Sequence, residues 1–293
     1  MFVCNLITDP TAPRLGISLV ESLRSAWCGG HVQWLSPNEA AEFQVSTVPE
    51  NFWDVWAEFQ ILGVDLIIQP VAGRRKAILL ADMDSTMIQQ ECIDELADLA
   101  GVGTQVKGIT AKAMNGELDF EQALRARVAL LEGQPASIID QALKTRIFFT
   151  AGGAELLATM KANGAYTALV SGGFTAFTQP VSQHLGFHEH HANQLLVDHG
   201  VVTGQVSDPI LGQQAKVEAL ERLTAQLSIT AQDVLAVGDG ANDLGMLKRA
   251  GSGVALHAKP SVAAQCDIRI NHGDLTALLF LQGYPRSAFR TAV

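Results

Sequence analysis

Apolar positions in the first seventy residues fall into short runs separated by helix-spaced segments. Residues 2–7 suit a strand, and 12–26 carry apolar positions at helical spacing. Residues 31–35 and 41–46 suit two further strands. A helix over 51–62 puts Phe52, Trp56 and Phe59 on one face, and an apolar strand over 64–69 closes the set. The pattern lapses at 72–76, where Ala-Gly-Arg-Arg-Lys reads as a linker. From 77 the periodicity changes. Residues 77–81 form an unbroken apolar run, as expected of a strand buried on both faces. Similar runs recur at 166–170, 234–237 and 253–256, with helix-like segments between them. Residues 88–146 read almost wholly helical, with breaks near 101–103, 115–116 and 133–135. At 193–204, Asp198-His199-Gly200 separates two β-branched runs and predicts a hairpin.

The first order, βαββαβ, is the ferredoxin-like pattern. The second, strands alternating with helices, predicts an α/β doubly wound parallel sheet. Two domains are therefore expected, residues 1–72 and 73–293. A helical cap is expected at about 88–148, inserted after the first core strand.

Charge and cysteine content narrow the partners. A formal net charge of −10 would repel a phosphate-rich polymer, so no nucleic-acid partner is expected. Arg14 and Arg24 alone are basic in residues 1–70, so that end is no basic arm. Cys4, Cys28, Cys92 and Cys266 form no CxxC pair, which argues against a zinc site and favours reduced thiols in a cytoplasmic protein. No Lys/Arg cluster precedes an apolar run at the N-terminus, and no stretch approaches the roughly 18 apolar residues of a membrane span. A soluble protein without membrane partners is expected.

Ligands of open α/β sheets sit at the carboxyl ends of the strands, so the residues after each core run carry the chemistry. Asp82-Met83-Asp84 follows the first. Two carboxylates this close raise one pKa or require a cation. Ser171-Gly172-Gly173 follows the second, a hydroxyl beside exposed amides that suits an anion. Gly238-Asp239-Gly240-Ala241-Asn242-Asp243 follows the third and adds two acids in a glycine-rich turn. Lys216 opens a helix after a glycine- and polar-rich stretch. Converging on one crevice, these carboxylates demand a divalent cation, for which magnesium is suited. The hydroxyl, amides and lysine are what a phosphoryl group needs. A dinucleotide loop is disfavoured, because GxGxxG would need glycine where Asp243 stands. Ser171 lacks the GxSxG of a hydrolase nucleophile, and His184, His188, His190, His191 and His199 lack an HExxH helix. They read as surface histidines.

In order along the chain, Asp82, Asp84 and Thr86, then Ser171, then Lys216, then Gly238, Asp239 and Asp243 match the four motifs of the haloacid dehalogenase superfamily. The chain is identified as resembling that superfamily over about residues 77–272. Residues 82–95, 114–127, 171–174 and 238–243 are similar to its phosphoserine phosphatase family in particular. The resemblance implies a haloacid-dehalogenase-like core and, more loosely, an ACT-like N-terminal domain that regulates, dimerises or merely scaffolds. It implies magnesium-dependent hydrolysis of O-phospho-L-serine through an aspartyl-phosphate intermediate, the last step of serine biosynthesis. Asp82 is then the nucleophile and Asp84 the general acid and base. Magnesium falls to Asp82, Asp239 and the backbone carbonyl of Asp84, with Asp243 behind them. Ser171, Gly172, Gly173, Lys216 and Asn242 fall to the phosphate. Glu91 reads the substrate ammonium and Arg127 its carboxylate, with Phe120 and Met114 as apolar wall. Serine as product inhibitor and a homodimer are expectations of the same kind. A phosphatase or phosphotransferase acting on another small phosphomonoester is the alternative, and an amino-acid-sensing binding protein is a third reading.

Overall fold

The computed structural model describes residues 1–114 and 117–291; the break expected near 115–116 lies outside them. Its N-terminal elements are β1 (Phe2–Thr8), α1 (Ile17–Ala26), β2 (Gln33–Ser36), β3 (Ala40–Val45), α2 (Phe52–Ile61) and β4 (Val64–Pro70). Next come β5 (Ile78–Ala81), the helices α3 (Cys92–Leu99), α4 (Gly103–Met114), α5 (Phe120–Ala129), α6 (Ser137–Thr145) and α7 (Gly153–Ala162), β6 (Tyr166–Phe174) and α8 (Thr175–Leu185). Strands β7 (Glu189–Asn193), β8 (Leu195–Asp198) and β9 (Val201–Val206) precede α9 (Gln213–Leu227) and β10 (Val234–Gly238). The chain ends with α10 (Leu244–Arg249), β11 (Ser252–Leu256), α11 (Pro260–Ala263), β12 (Ile268–Ile270) and α12 (Ala277–Leu281). Among the described residues no helix is long and apolar enough to cross a membrane.

Strands β2-β3-β1-β4 form an antiparallel sheet in that order. The strands joined through α1 are separated by β3, and those joined through α2 by β1, as the split βαβ arrangement requires. Phe52 and Phe59 on α2 are buried against Cys4, Leu6, Phe43 and Leu66, with Trp56 packed beside them. Helix α1 starts five residues later than its apolar spacing suggests. Pro10 and Pro13 bias the residues before them toward extended backbone, and Gly16 is still extended at ψ 142°.

The second sheet has six strands in the order β12-β11-β10-β5-β6-β7, parallel in register along β10–β11–β12 and along β6–β7. Four of these strands match the expected apolar runs. β7 was hidden because its sequence, Glu-His-His-Ala-Asn, is mostly polar, and β12 because it has only three residues. The chain gathers into two compact units, one made of residues 1–80, 151–167 and 220–293, the other of 81–150 and 168–219. In the second unit, β8 and β9 form the expected hairpin. Its tip, His199 at φ 48° and Gly200 at φ 80°, has the two left-handed residues of a tight primed turn. The segment between α5 and α6 pairs with β9, through Gly133 N to Val202 O at 3.0 Å and Val202 N to Gln134 O at 2.8 Å.

Within the first unit, β4 is anchored to the segment after β12 by a fully buried carboxylate. Asp65 accepts from the amides of Asn271 at 2.8 Å, His272 at 3.0 Å and Gly273 at 2.8 Å. Gln69 Nε2 donates to Leu281 O at 2.8 Å, Arg74 pairs with Glu42 at 2.7 Å, and Arg286 pairs with Glu39. Burial pushes the Asp65 carboxyl above its ordinary range, and the three amides pull it back only in part. Its contribution to stability is therefore complete below the ordinary carboxylate range and is lost as pH rises through the raised value. Asp65→Asn should flatten that acid portion of the stability–pH curve in urea titrations. Asp65→Ala should orphan the amides and cost about 3 kcal/mol or more at neutral pH.

Candidate active site

Strand β5 has four residues, all fully buried, and it delivers Asp82 at 4% exposure. The chain then makes a tight π-type turn over Met83–Met87. Within it Asp84 is extended (φ −65°, ψ 136°) and Ser85 is left-handed at φ 54°. A left-handed serine is strained. Here its hydroxyl donates to Glu91 Oε1 at 2.8 Å and its amide to Gln90 O at 3.2 Å. Thr86, the hydroxyl two residues beyond Asp84, is fully buried.

The second unit brings four expected residues together. Lys216, in the first turn of α9 and 1% exposed, places Nζ 2.5 Å from Asp82 Oδ1. Ser171, at the carboxyl end of β6, donates its hydroxyl to Asp84 Oδ2 at 3.1 Å and accepts the Gly173 amide at 2.9 Å. The other carboxylate oxygen, Asp84 Oδ1, accepts the Cys92 amide at the start of α3 at 2.8 Å. A Cβ on Gly173 would lie 2.8 Å from Asp84 Oδ2, so this close approach of loop to carboxylate requires glycine. Burial raises the Asp84 carboxyl above the ordinary aspartate range. Cys92, the Ser171 hydroxyl and the Lys216 ammonium offset part of that rise.

In the glycine-rich turn after β10, Asp243 is fully buried and its Oδ2 accepts the Gly240 amide at 2.9 Å. A Cβ at Gly238 would run into the Asp243 carboxylate. Asp239 and Asn242 are half-buried. Asp82, Asp239 and Asp243 each offer a carboxylate oxygen within 4.8 Å of the others. Like charges this close, two of them buried, fit a hard divalent cation with oxygen ligands.

The expected readers of the substrate's amino-acid end lie on the helical segment. Glu91 is exposed at the N-terminal boundary of α3. Arg127 is half-buried in the last turn of α5, where Nε donates to Ala123 O at 3.2 Å. Burial lowers the Arg127 pKa, against the pull of Asp94, Glu91 and Asp84. The Phe120 ring lies over Gly172 and Gly212, 3.0 and 3.2 Å from where their Cβ atoms would stand. Met114 ends α4, and its side chain lies outside the described residues.

Among the described residues these histidines have separate surroundings. His184 stacks on Phe149 with centroids 4.2 Å apart, His190 bonds Thr178 at 3.0 Å, and His191 pairs with Glu189 at 3.1 Å. His199 sits at the exposed hairpin tip. Two residues to which the sequence reading gave no site role touch the site's loops, Cys92 through its amide to Asp84 and Asn193 on β7 through its side chain to Gly172. Cys92 falls inside the 82–95 stretch and Asn193 in none of the motif stretches, and only the folded register reveals these contacts.

Residues 79–248 match the family model of haloacid dehalogenase-like hydrolases. The chain is 46% identical over 204 residues to a phosphoserine phosphatase of Haemophilus influenzae, covering 70% of this chain and 65% of that protein. It thus spans just under two thirds of that relative's length. A haloacid dehalogenase family hydrolase of Salmonella enterica serovar Typhi superposes with a TM-score of 0.86 at 30% identity, over 96% of this chain and 97% of that one. A substrate-bound phosphoserine phosphatase superposes at 0.66 with 42% identity, over 70% of this chain and 98% of the other.

The acidic cluster makes a direct prediction. Adding a divalent cation to metal-stripped protein should raise its thermal midpoint, by the equivalent of about 2.7 kcal/mol at a hundredfold excess over Kd. Asp239→Asn should abolish the shift in a calorimetric scan; an unchanged shift would remove Asp239 from the ligand set.

Proposed function

Because the chain belongs to the haloacid dehalogenase-like hydrolase family, we propose that it hydrolyses O-phospho-L-serine to L-serine and phosphate. The observation that carries this reading is the meeting of Asp82, Lys216, Asp84 and Ser171 through bonds of 2.5 and 3.1 Å. A carboxylate, an ammonium, a carboxyl poised to hold a proton and a hydroxyl are the parts of phosphoryl transfer through a covalent intermediate.

Asp82 attacks phosphorus in line. Its new P–O bond forms as the bond to the serine oxygen breaks, and Asp84 gives that oxygen its proton. Water then attacks the aspartyl phosphate, Asp84 takes back a proton, and Asp82 departs as a carboxylate with release of inorganic phosphate. The raised Asp84 carboxyl supports the first role, since an ordinary aspartate near 3.9 would hold little proton at neutral pH. Ser171, the Gly172 and Gly173 amides, Lys216 and Asn242 grip the phosphoryl oxygens. Magnesium would be held by Asp82, Asp239 and the Asp84 backbone carbonyl, with Asp243 supporting. When bound, it offsets the repulsion between the carboxylate nucleophile and the phosphate dianion.

Selectivity falls to the helical cap, taken as about 88–148. Arg127 offers a fork for the substrate carboxylate and Glu91 an acceptor for its ammonium, with the Phe120 ring and Met114 as wall. Residues 1–72 are taken as an ACT-like domain with a regulatory or dimerising role, and serine as product inhibitor. All four cysteines are free, three of them buried, which suits a reducing cytoplasm; the proposed reaction would be the last step of serine biosynthesis.

Asp82→Asn should lower turnover by roughly a thousandfold or more while the thermal midpoint holds; retained phosphate release would remove Asp82 as nucleophile. Arg127→Ala should cost about 2–5 kcal/mol in kcat/KM for phosphoserine. Turnover of p-nitrophenyl phosphate should fall far less, and equal losses on both substrates would refute the reader assignment.

A further inference from the structure

Along β6 and β7 the parallel register runs evenly as far as Val170 opposite His191, then breaks and resumes with Phe174 opposite Asn193. Residues 171–173 thus bulge out of the ladder, and the partner strand's backbone no longer governs their orientation. The side chain of Asn193 takes over that task. It is 2% exposed, and both ends of its amide are engaged. Nδ2 donates to Gly172 O at 2.8 Å and to Leu211 O at 3.1 Å, while Oδ1 accepts the Leu211 amide at 2.7 Å. Two carbonyls on one side and an N–H on the other fix which end is nitrogen. The two segments it joins are the Ser171-Gly172-Gly173 bulge and the loop leading to Lys216, five residues beyond Leu211. Among the described residues no strand of the sheets joins those two segments to each other.

We infer that Asn193 is a positioning residue of the phosphoryl cradle, fixing the Gly172 peptide against the Lys216 approach so that both grips meet one phosphate. The inference rests on the phosphatase reading above. Asn193 acts through Gly172 and Leu211 and needs no contact with substrate. Aspartate in its place keeps the shape but loses both donations and sets a charge against two carbonyl oxygens. Alanine loses all three bonds.

The test titrates inorganic phosphate into the magnesium-loaded full chain by calorimetry, for the unaltered protein, Asn193→Asp and Asn193→Ala. It also measures kcat/KM on phosphoserine and p-nitrophenyl phosphate well below the thermal midpoint of each variant. His190→Gln, on the same strand but outside the site, reports what loss of strand packing alone does. Both Asn193 variants should bind phosphate about 10- to 100-fold more weakly and lose a similar factor on both substrates, because a small misplacement of a gripping group is enough. Phosphate affinity within twofold of the unaltered chain, or a loss no larger than that of His190→Gln, would overturn the inference. Absence of phosphomonoester turnover by the unaltered chain would refute the phosphatase reading, while phosphate binding would still judge Asn193.

Discussion

An ammonium ion sealed inside a protein has to keep a carboxylate beside it. Lys216 is 1% exposed and Asp82 4% exposed, and their charged atoms stand 2.5 Å apart. Separating such a pair leaves a buried charge unmatched, at a cost of about 3–5 kcal/mol. The start of α9 and the end of β5 are therefore not free to drift, although 134 residues separate the partners in sequence. The short, fully buried β5 holds one partner. The Asn193 fork secures the approach to the other.

Around this pair the chain spends conformational strain and space in the loops that follow β5 and β6. A left-handed Ser85 turns the first loop so that Asp84 faces Ser171 and the start of α3. Gly173 is small enough to let that carboxylate approach, and its amide holds the Ser171 hydroxyl that donates to it. The Asp82, Asp239 and Asp243 oxygens lie within 4.8 Å of one another, an arrangement that fits a divalent cation in addition to the Lys216 ammonium on Asp82.

Much of this was legible before any coordinates. Unbroken apolar runs marked β5, β6, β10 and β11, because strands buried on both faces leave no room for polar alternation. The acids and the Ser-Gly-Gly turn stood out because they sit directly after those runs. What could not be read is equally physical. β7 hides behind Glu189, His190 and His191, polar residues of a sheet-edge strand. Asn193 looks like any turn asparagine until the register of β6 slips past it. The fate of the Arg127 fork depends on distances to Glu91, Asp94 and Asp84 that helical spacing does not supply. Helix α1 was drawn too long because apolar spacing is blind to the backbone preference that Pro10 and Pro13 impose.

The Asp65 anchor changes how a shortened chain would behave. Amides 271–273, the carbonyl of Leu281 and the guanidinium of Arg286 all find partners on residues upstream of the linker. Cutting at the linker would strip these groups of their mates and open the floor beneath α12 and the end of β12 to water. A truncated chain would thus begin life as a folding mutant, and any defect it showed would report on a torn seam first.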